Sequence, residues 1–183
     1  NILLQNNVFN ANMADQVDLD FCTGTVKDNK FIEKSIIKDF VKVIIPSDDN
    51  GDGLDFSGSE IVVENNEFMG FLDKGISIGE NTLALIYKNN FLNNRSAITA
   101  KDQSKVYLYD NYYENNKIYI EMYQKKKMFK HPLVFNINEK HSGDKIKKTI
   151  ESHYYKLDET QNIDMNSTNI FDELKNKDWV EYE

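Results

Sequence analysis

From Val17 to Tyr123 the chain repeats short runs in which apolar and polar residues alternate, the pattern of strands with one buried and one solvated face. Val17, Leu54, Ile76, Ile98 and Ile120 occupy one place in successive runs, and Leu19, Phe56, Ile78, Ala100 and Met122 the place two residues later. Positions two apart share a face of a strand, so both sets are expected to point into a core. Asp18, Asp55, Ser77, Thr99 and Glu121 lie between them, and Asp20, Ser57, Gly79, Lys101 and Tyr123 follow. This second parity is expected to point outward, because a slip of one residue would bury carboxylates.

The runs recur at a fixed period. An asparagine followed two residues later by an aromatic occurs at Asn7/Phe9, Asn29/Phe31, Asn66/Phe68, Asn89/Phe91 and Asn111/Tyr113, so the asparagines stand 22, 37, 23 and 22 residues apart (29−7, 66−29, 89−66, 111−89). Coils of this length, each holding two or three short strands and stacked one on the next, make an all-β parallel β-helix, in which place in the repeat becomes alignment in space. A leucine-rich repeat would need leucines at offsets where this chain has none. The asparagines are read as turn residues that tolerate left-handed torsions and bond rung to rung, and the aromatics as a core stack.

The long interval places an insertion at about 33–47, including the apolar run Phe40 to Pro46, which is expected to cover the solenoid's flank or to wall a cleft beside the acidic strands. After residue 127 the repeat fades, which divides the chain into a β-helix over 1–127 and a C-terminal extension over 128–183. Asn166 to Leu174 starts as a helix does, and the extension is read as an irregular or helical cap on the open end, with Trp179 packed in it.

Composition narrows the function. The formal charge is −8, and without a clustered basic surface a grip on nucleic-acid phosphates is not expected; a neutral or cationic partner is easier to accommodate. No run of about 20 apolar residues predicts a membrane span. Cys22 stands alone and is read as structural, and His131, His141 and His153 match no metal-binding spacing. The chain begins at Asn1 within a repeat, as a piece of a longer protein would.

On the outward face, stacking makes Asp18 and Asp55 neighbours, with Asp20 close and Asp52 at the strand entry. Carboxylates this close must bind a cation, pair with a base such as Lys74 or Lys101, or hold a proton. Asp18, Asp20, Asp55, Lys74 and Lys101 are therefore the candidate catalytic set, and Asp52, Ser57, Asp73, Ser77, Glu80, Thr99, Asp102, Glu121 and Tyr123 line the same face as candidate substrate contacts. Paired acids serve glycoside hydrolysis, and an acid and base on a calcium-bound uronate serve elimination. A solvated acidic strip without chemistry has the same appearance. Asp48-Asp49-Asn50-Gly51-Asp52-Gly53 also fits the opening of a calcium loop, with Asp48, Asn50 and Asp52 as ligands, but its twelfth position is Ser59 rather than an acid.

The coils Asp52-Gly53-Leu54-Asp55-Phe56-Ser57-Gly58-Ser59 and Asp73-Lys74-Gly75-Ile76-Ser77-Ile78-Gly79-Glu80 resemble those of pectin-lyase-like right-handed β-helix proteins. They are especially similar to the β-helix modules that accompany spore-coat-kinase-like domains in bacterial surface proteins. The resemblance, which covers about residues 1–127, implies a right-handed coil, an extracellular or cell-surface location, further domains in a parent chain, and a polysaccharide or cell-envelope glycan as partner. Polygalacturonases of that superfamily carry an Asn-Thr-Asp-Gly coil, a Gly-Asp-Asp coil, a Gly-His-Gly coil and an Arg-Ile-Lys segment. Asp52-Gly53 echoes the first and Asp73-Lys74 half of the second, and the rest are missing, which argues against that hydrolase. The expectation is a carbohydrate-associated module that binds polysaccharide on an acidic strand face, with a lyase, C5-epimerase or glycoside hydrolase, or a structural spacer, as alternatives.

Overall fold

The computed structural model describes residues 1–10, 14–33, 51–139, 143–158, 161–165 and 167–182. Strand succeeds strand in a three-step cycle. The first coil holds β1 (Ile2–Gln5), β2 (Val8–Asn10) and β3 (Val17–Asp20); the second β4 (Thr23–Lys27), β5 (Lys30–Ile32) and β6 (Leu54–Ser57). The third holds β7 (Glu60–Glu64), β8 (Glu67–Met69) and β9 (Lys74–Gly79); the fourth β10 (Leu83–Tyr87), β11 (Asn90–Leu92) and β12 (Ser96–Lys101); the fifth β13 (Lys105–Tyr109), β14 (Tyr112–Glu114) and β15 (Ile118–Tyr123). Then come β16 (Leu133–Ile137), β17 (Ile146–Lys148), β18 (His153–Leu157), the short helix α1 (Ile170–Lys175) and β19 (Trp179–Glu181). Residues 34–50, between β5 and β6, lie outside the described residues and hold nearly all of the insertion expected at about 33–47, so the expected flank or cleft wall lies outside them too.

From the first coil to the fifth, every third strand pairs with its counterpart in the next coil. Sheet A runs β1-β4-β7-β10-β13-β16-β18-β19, sheet B β2-β5-β8-β11-β14, and sheet C β3-β6-β9-β12-β15-β17. All pairings are parallel except the last, β18 with β19. The register is the one the repeat implies: Val17, Leu54, Ile76, Ile98 and Ile120 align across sheet C, as do Asp18, Asp55, Ser77, Thr99 and Glu121. Pairing continues beyond residue 127, since β16 and β18 extend sheet A and β17 extends sheet C.

The three sheets enclose one core in which Leu54, Phe56, Ile76, Ile78, Ile98 and Ile120 are all fully buried. Sheet B contributes the aromatic column. Phe9, Phe31, Phe68, Phe91 and Tyr113 lie with ring centroids 5.0, 4.7, 5.1 and 5.4 Å apart and nearly parallel planes, because the rung spacing of about 4.8 Å matches offset ring stacking.

The asparagine column bonds from rung to rung as expected, but it does not hold the left-handed turn position. The left-handed torsion sits one residue earlier, at Asn6, Asp28, Asn65, Lys88 and Asp110, and a lysine serves there as well as an asparagine. That turn aims the next side chain along the stack. The Oδ1 of Asn29 accepts from the backbone N–H and Nδ2 of Asn7, both at 3.0 Å; the Oδ1 of Asn66 does the same for Asn29, that of Asn89 for Asn66, and that of Asn111 for Asn89. In the sixth coil Glu139 takes this place and ends the ladder, accepting from the Asn111 N–H at 3.0 Å and from the Tyr113 hydroxyl at 2.9 Å.

Burial pushes the Glu139 carboxyl up to about 7, against the hydrogen bonds that favour its charge. A folded-state value above the unfolded one gives stability that is complete below about pH 4.5 and lost as pH rises through about 7. Glu139→Gln is therefore expected to leave stability at pH 5 nearly unchanged and to raise it by roughly 2 kcal/mol at pH 8. Urea midpoints measured at the two pH values check this; equal shifts at both would contradict it.

Residues 161–165 and 167–182 do more than cover an end. Ile163, Met165, Ile170, Phe171, Leu174 and Trp179 pack on the outer face of sheet A over Leu85, Tyr107 and Phe135, forming a second apolar cluster. The outward-facing column of Tyr107, Phe135 and Tyr155 is stacked at 4.8 and 5.1 Å, and Trp179 lies edge-on to Phe135 at 4.9 Å. At the end of the stack Tyr182 packs edge-on against buried Tyr154.

A candidate glycan-binding face on sheet C

The outward side chains of sheet C are where the candidate residues meet, and the face changes character along its length. In the first two coils Asp18 and Asp20 are exposed, and Asp15 and Asp55 are half-buried. Partial burial and the nearby Asp20, Asp55 and Asp15 charges raise the Asp18 carboxyl above its usual value. The expected acidic strip is therefore confined to this end.

The middle coils depart from the expectation of an exposed outward parity. Ser77 and Thr99 are fully buried, as are most of Lys74, Lys101 and Glu121. Rungs about 4.8 Å apart let long side chains overhang short ones. Lys101 shows this, with its Cε 3.5 Å from where a Cβ on Gly79 would lie. Lys74 bridges two acids, with Nζ 3.2 Å from Asp52 and 2.5 Å from Asp73. Burial pushes the Asp52 carboxyl up to about 7 despite that lysine, while burial of Lys74 is outweighed by the two carboxylates, which hold its ammonium above the usual range.

Lys101 is different. It is 7% exposed and has neither ion pair nor hydrogen bond among the described residues. Burial pulls its ammonium below the usual value, with Asp55 only partly restoring it. One carboxylate oxygen of Asp55 and the Ser77 hydroxyl are likewise buried without a partner. Buried polar groups left unpaired are uncommon and call for an explanation, such as a water, an ion or a catalytic role.

The remaining candidates are engaged elsewhere. Asp102 is buried and its Oδ1 accepts from the Lys125 and Lys126 N–H groups at 2.6 and 2.7 Å, which braces the turn after β15. Glu80 pairs with Lys126, and half-exposed Ser57 aligns with Gly79. Asp48 and Asn50 of the calcium loop lie outside the described residues, and the third ligand, Asp52, faces Lys74 instead. Among the described residues no group of three or more acidic, histidine or cysteine side chains is placed to hold a metal.

In the last coils the face opens into a cleft of about 500 Å³ lined by Asp73, Lys74, Arg95, Glu121, Tyr123, Lys125, Lys147 and Lys148. Arg95 lies 3.2 Å from Asp73 and 3.5 Å from Glu121, and Lys147 lies 2.8 Å from Glu121. Five cations thus meet two carboxylates, a local reversal of the chain's net charge. Arg95, Lys125, Lys147 and Lys148 were not among the sequence candidates. They sit at a corner or beyond the clear repeat, where alternation carries no information; the run of lysines after residue 117 was the only signal.

Coils of about 22 residues wound through three parallel sheets define a β-solenoid. The family described as the right-handed β-helix region matches residues 1–143, that is 143 of 183, and the chain belongs to it. No curated protein and no solved structure matches the chain. Among the described residues no helix is long and apolar enough to cross a membrane.

Proposed function

We propose that this chain is a carbohydrate-associated β-helix module that binds an anionic polysaccharide along sheet C. The observation that carries the reading is the cleft where Arg95, Lys125, Lys147 and Lys148 surround Tyr123: a ring to lie against a sugar, and cations in excess of carboxylates to meet its acidic groups. The family is compatible with such a role. By the resemblance noted above, the partner is a polysaccharide or cell-envelope glycan met at the cell surface or outside it, by a module of a longer parent chain.

Electrophoresis through gels containing polygalacturonate or alginate is the test. The native chain should be retarded, the effect should shrink with added salt, and Lys125→Ala/Lys147→Ala should bind about fivefold to tenfold more weakly. Equal mobility with and without the polymers would refute the reading and leave the structural spacer.

Lys101 favours a second, catalytic reading. A buried amine with depressed basicity beside Asp55 suits proton abstraction next to a uronate carboxylate, as in a lyase or epimerase. Unsaturated uronate absorbance for a lyase, or uptake of solvent deuterium at C5 for an epimerase, abolished in Lys101→Met, is the outcome that separates enzyme from binding module.

A further inference from the structure

A second cleft lies around the corner from sheet C, in the turns that lead into sheet A. The residue after each of the first four sheet C strands is left-handed: Phe21, Gly58, Glu80 and Asp102 have φ of 51, 61, 55 and 50°. Glycine, and to a lesser degree short polar residues, tolerate this torsion, whereas a bulky aromatic is strained by it. Strain of this kind persists where the surroundings enforce it and concentrates at functional sites.

Phe21 gains no burial in return, being 78% exposed. Its ring lies on the bare backbone of Gly58, where a Cβ would come within 2.7 Å of two ring carbons, so one face is seated and the rest is open to solvent. The ring borders a cleft of about 390 Å³ that Glu60, Asn81, Lys105 and Lys175 also line. Glu60 and Lys105 are exposed and make no ion pair among the described residues. Lys175 is supplied by α1, packed on the flank of sheet A, and pairs with Asp172 at 3.4 Å.

We infer that this corner is a carbohydrate subsite for a neutral hexose unit. The apolar C–H face of the sugar lies on the open face of Phe21, and its hydroxyls meet the Glu60 carboxylate, the Asn81 amide and the Lys105 ammonium. Acid and base are both present and unpaired, which suits hydroxyl groups and gives no strong preference for an anion. The site stands on Phe21 and its seat and does not depend on the cleft of sheet C.

Calorimetric titration of the native chain with cellohexaose, mannohexaose and maltohexaose tests it. At least one should bind, Phe21→Ala should weaken that binding at least about fivefold without lowering the melting temperature, and Phe21→Trp should retain it. Lys125→Ala/Lys147→Ala should leave it unchanged. The inference is overturned if none of the three binds the native chain, if Phe21→Ala binds as well as the native chain, or if binding is lost only with Lys125 and Lys147. The last result would assign neutral sugars to sheet C and leave the proposed function standing.

Discussion

Asn66→Ala should cost the fold roughly 3 kcal/mol, a large share of the stability of a chain this size. Asn66 is 1% exposed and works in two directions along the stack. Its Oδ1 takes the Asn29 N–H and Nδ2, and its Nδ2 gives to the carbonyls of Val26 at 3.0 Å and Glu64 at 2.9 Å and to Asn89 Oδ1 at 2.9 Å. Alanine leaves the Asn29 N–H buried with no acceptor, and each such group costs about 1–3 kcal/mol. Asn66→Asp keeps the acceptor and removes the donors, so it should also be destabilising. Urea unfolding with an unchanged slope is the measurement. A loss under about 1 kcal/mol would show that the ladder is ornamental.

Phe68→Ala is expected to lose about 3–5 kcal/mol, the range for emptying a large aromatic site in a core. Phe68 has no exposed surface and lies between Phe31 at 4.7 Å and Phe91 at 5.1 Å. The cavity cannot be filled from above or below, because each neighbour is held in its own rung by the backbone ladder. Phe68→Leu should recover more than half the loss by refilling volume. A cost for alanine no greater than for leucine would mean that the column relaxes freely, contrary to rigid stacking.

Together with the pH response of Glu139, these tests separate what maintains the solenoid from what acts on its surface. Asn66 and Phe68 belong to columns that run through the first five coils, and repetition is the mark of architecture. Phe21 and Lys101 have no counterpart of their kind in the neighbouring coils. Lys101 aligns with Tyr123, and Phe21 shares its corner with Gly58, Glu80 and Asp102.

The period and the alternation were enough to read the sheets, the register of sheet C, the aromatic stack and the asparagine ladder from the amino-acid order. Parallel rungs hydrogen-bond in register, so equal spacing in sequence becomes adjacency in space, and two-residue alternation assigns each side chain to a face. The neighbourhood of Asp18 and Asp55 follows from the same rule. Parity does not say how far a side chain is covered, because cover comes from neighbours one rung away. Ser77 and Thr99 point outward and are buried all the same, and Lys101 lies down over Gly79 instead of extending into water. Nor does parity reach the corners and the tail, where three-dimensional packing alone brings Arg95, Lys125 and Lys147 together and leaves the ring of Phe21 open. A one-dimensional repeat thus determined which residues lie beside one another. Only the folded solenoid decided which remain accessible, since accessibility depends on side-chain reach and chain packing that no period encodes.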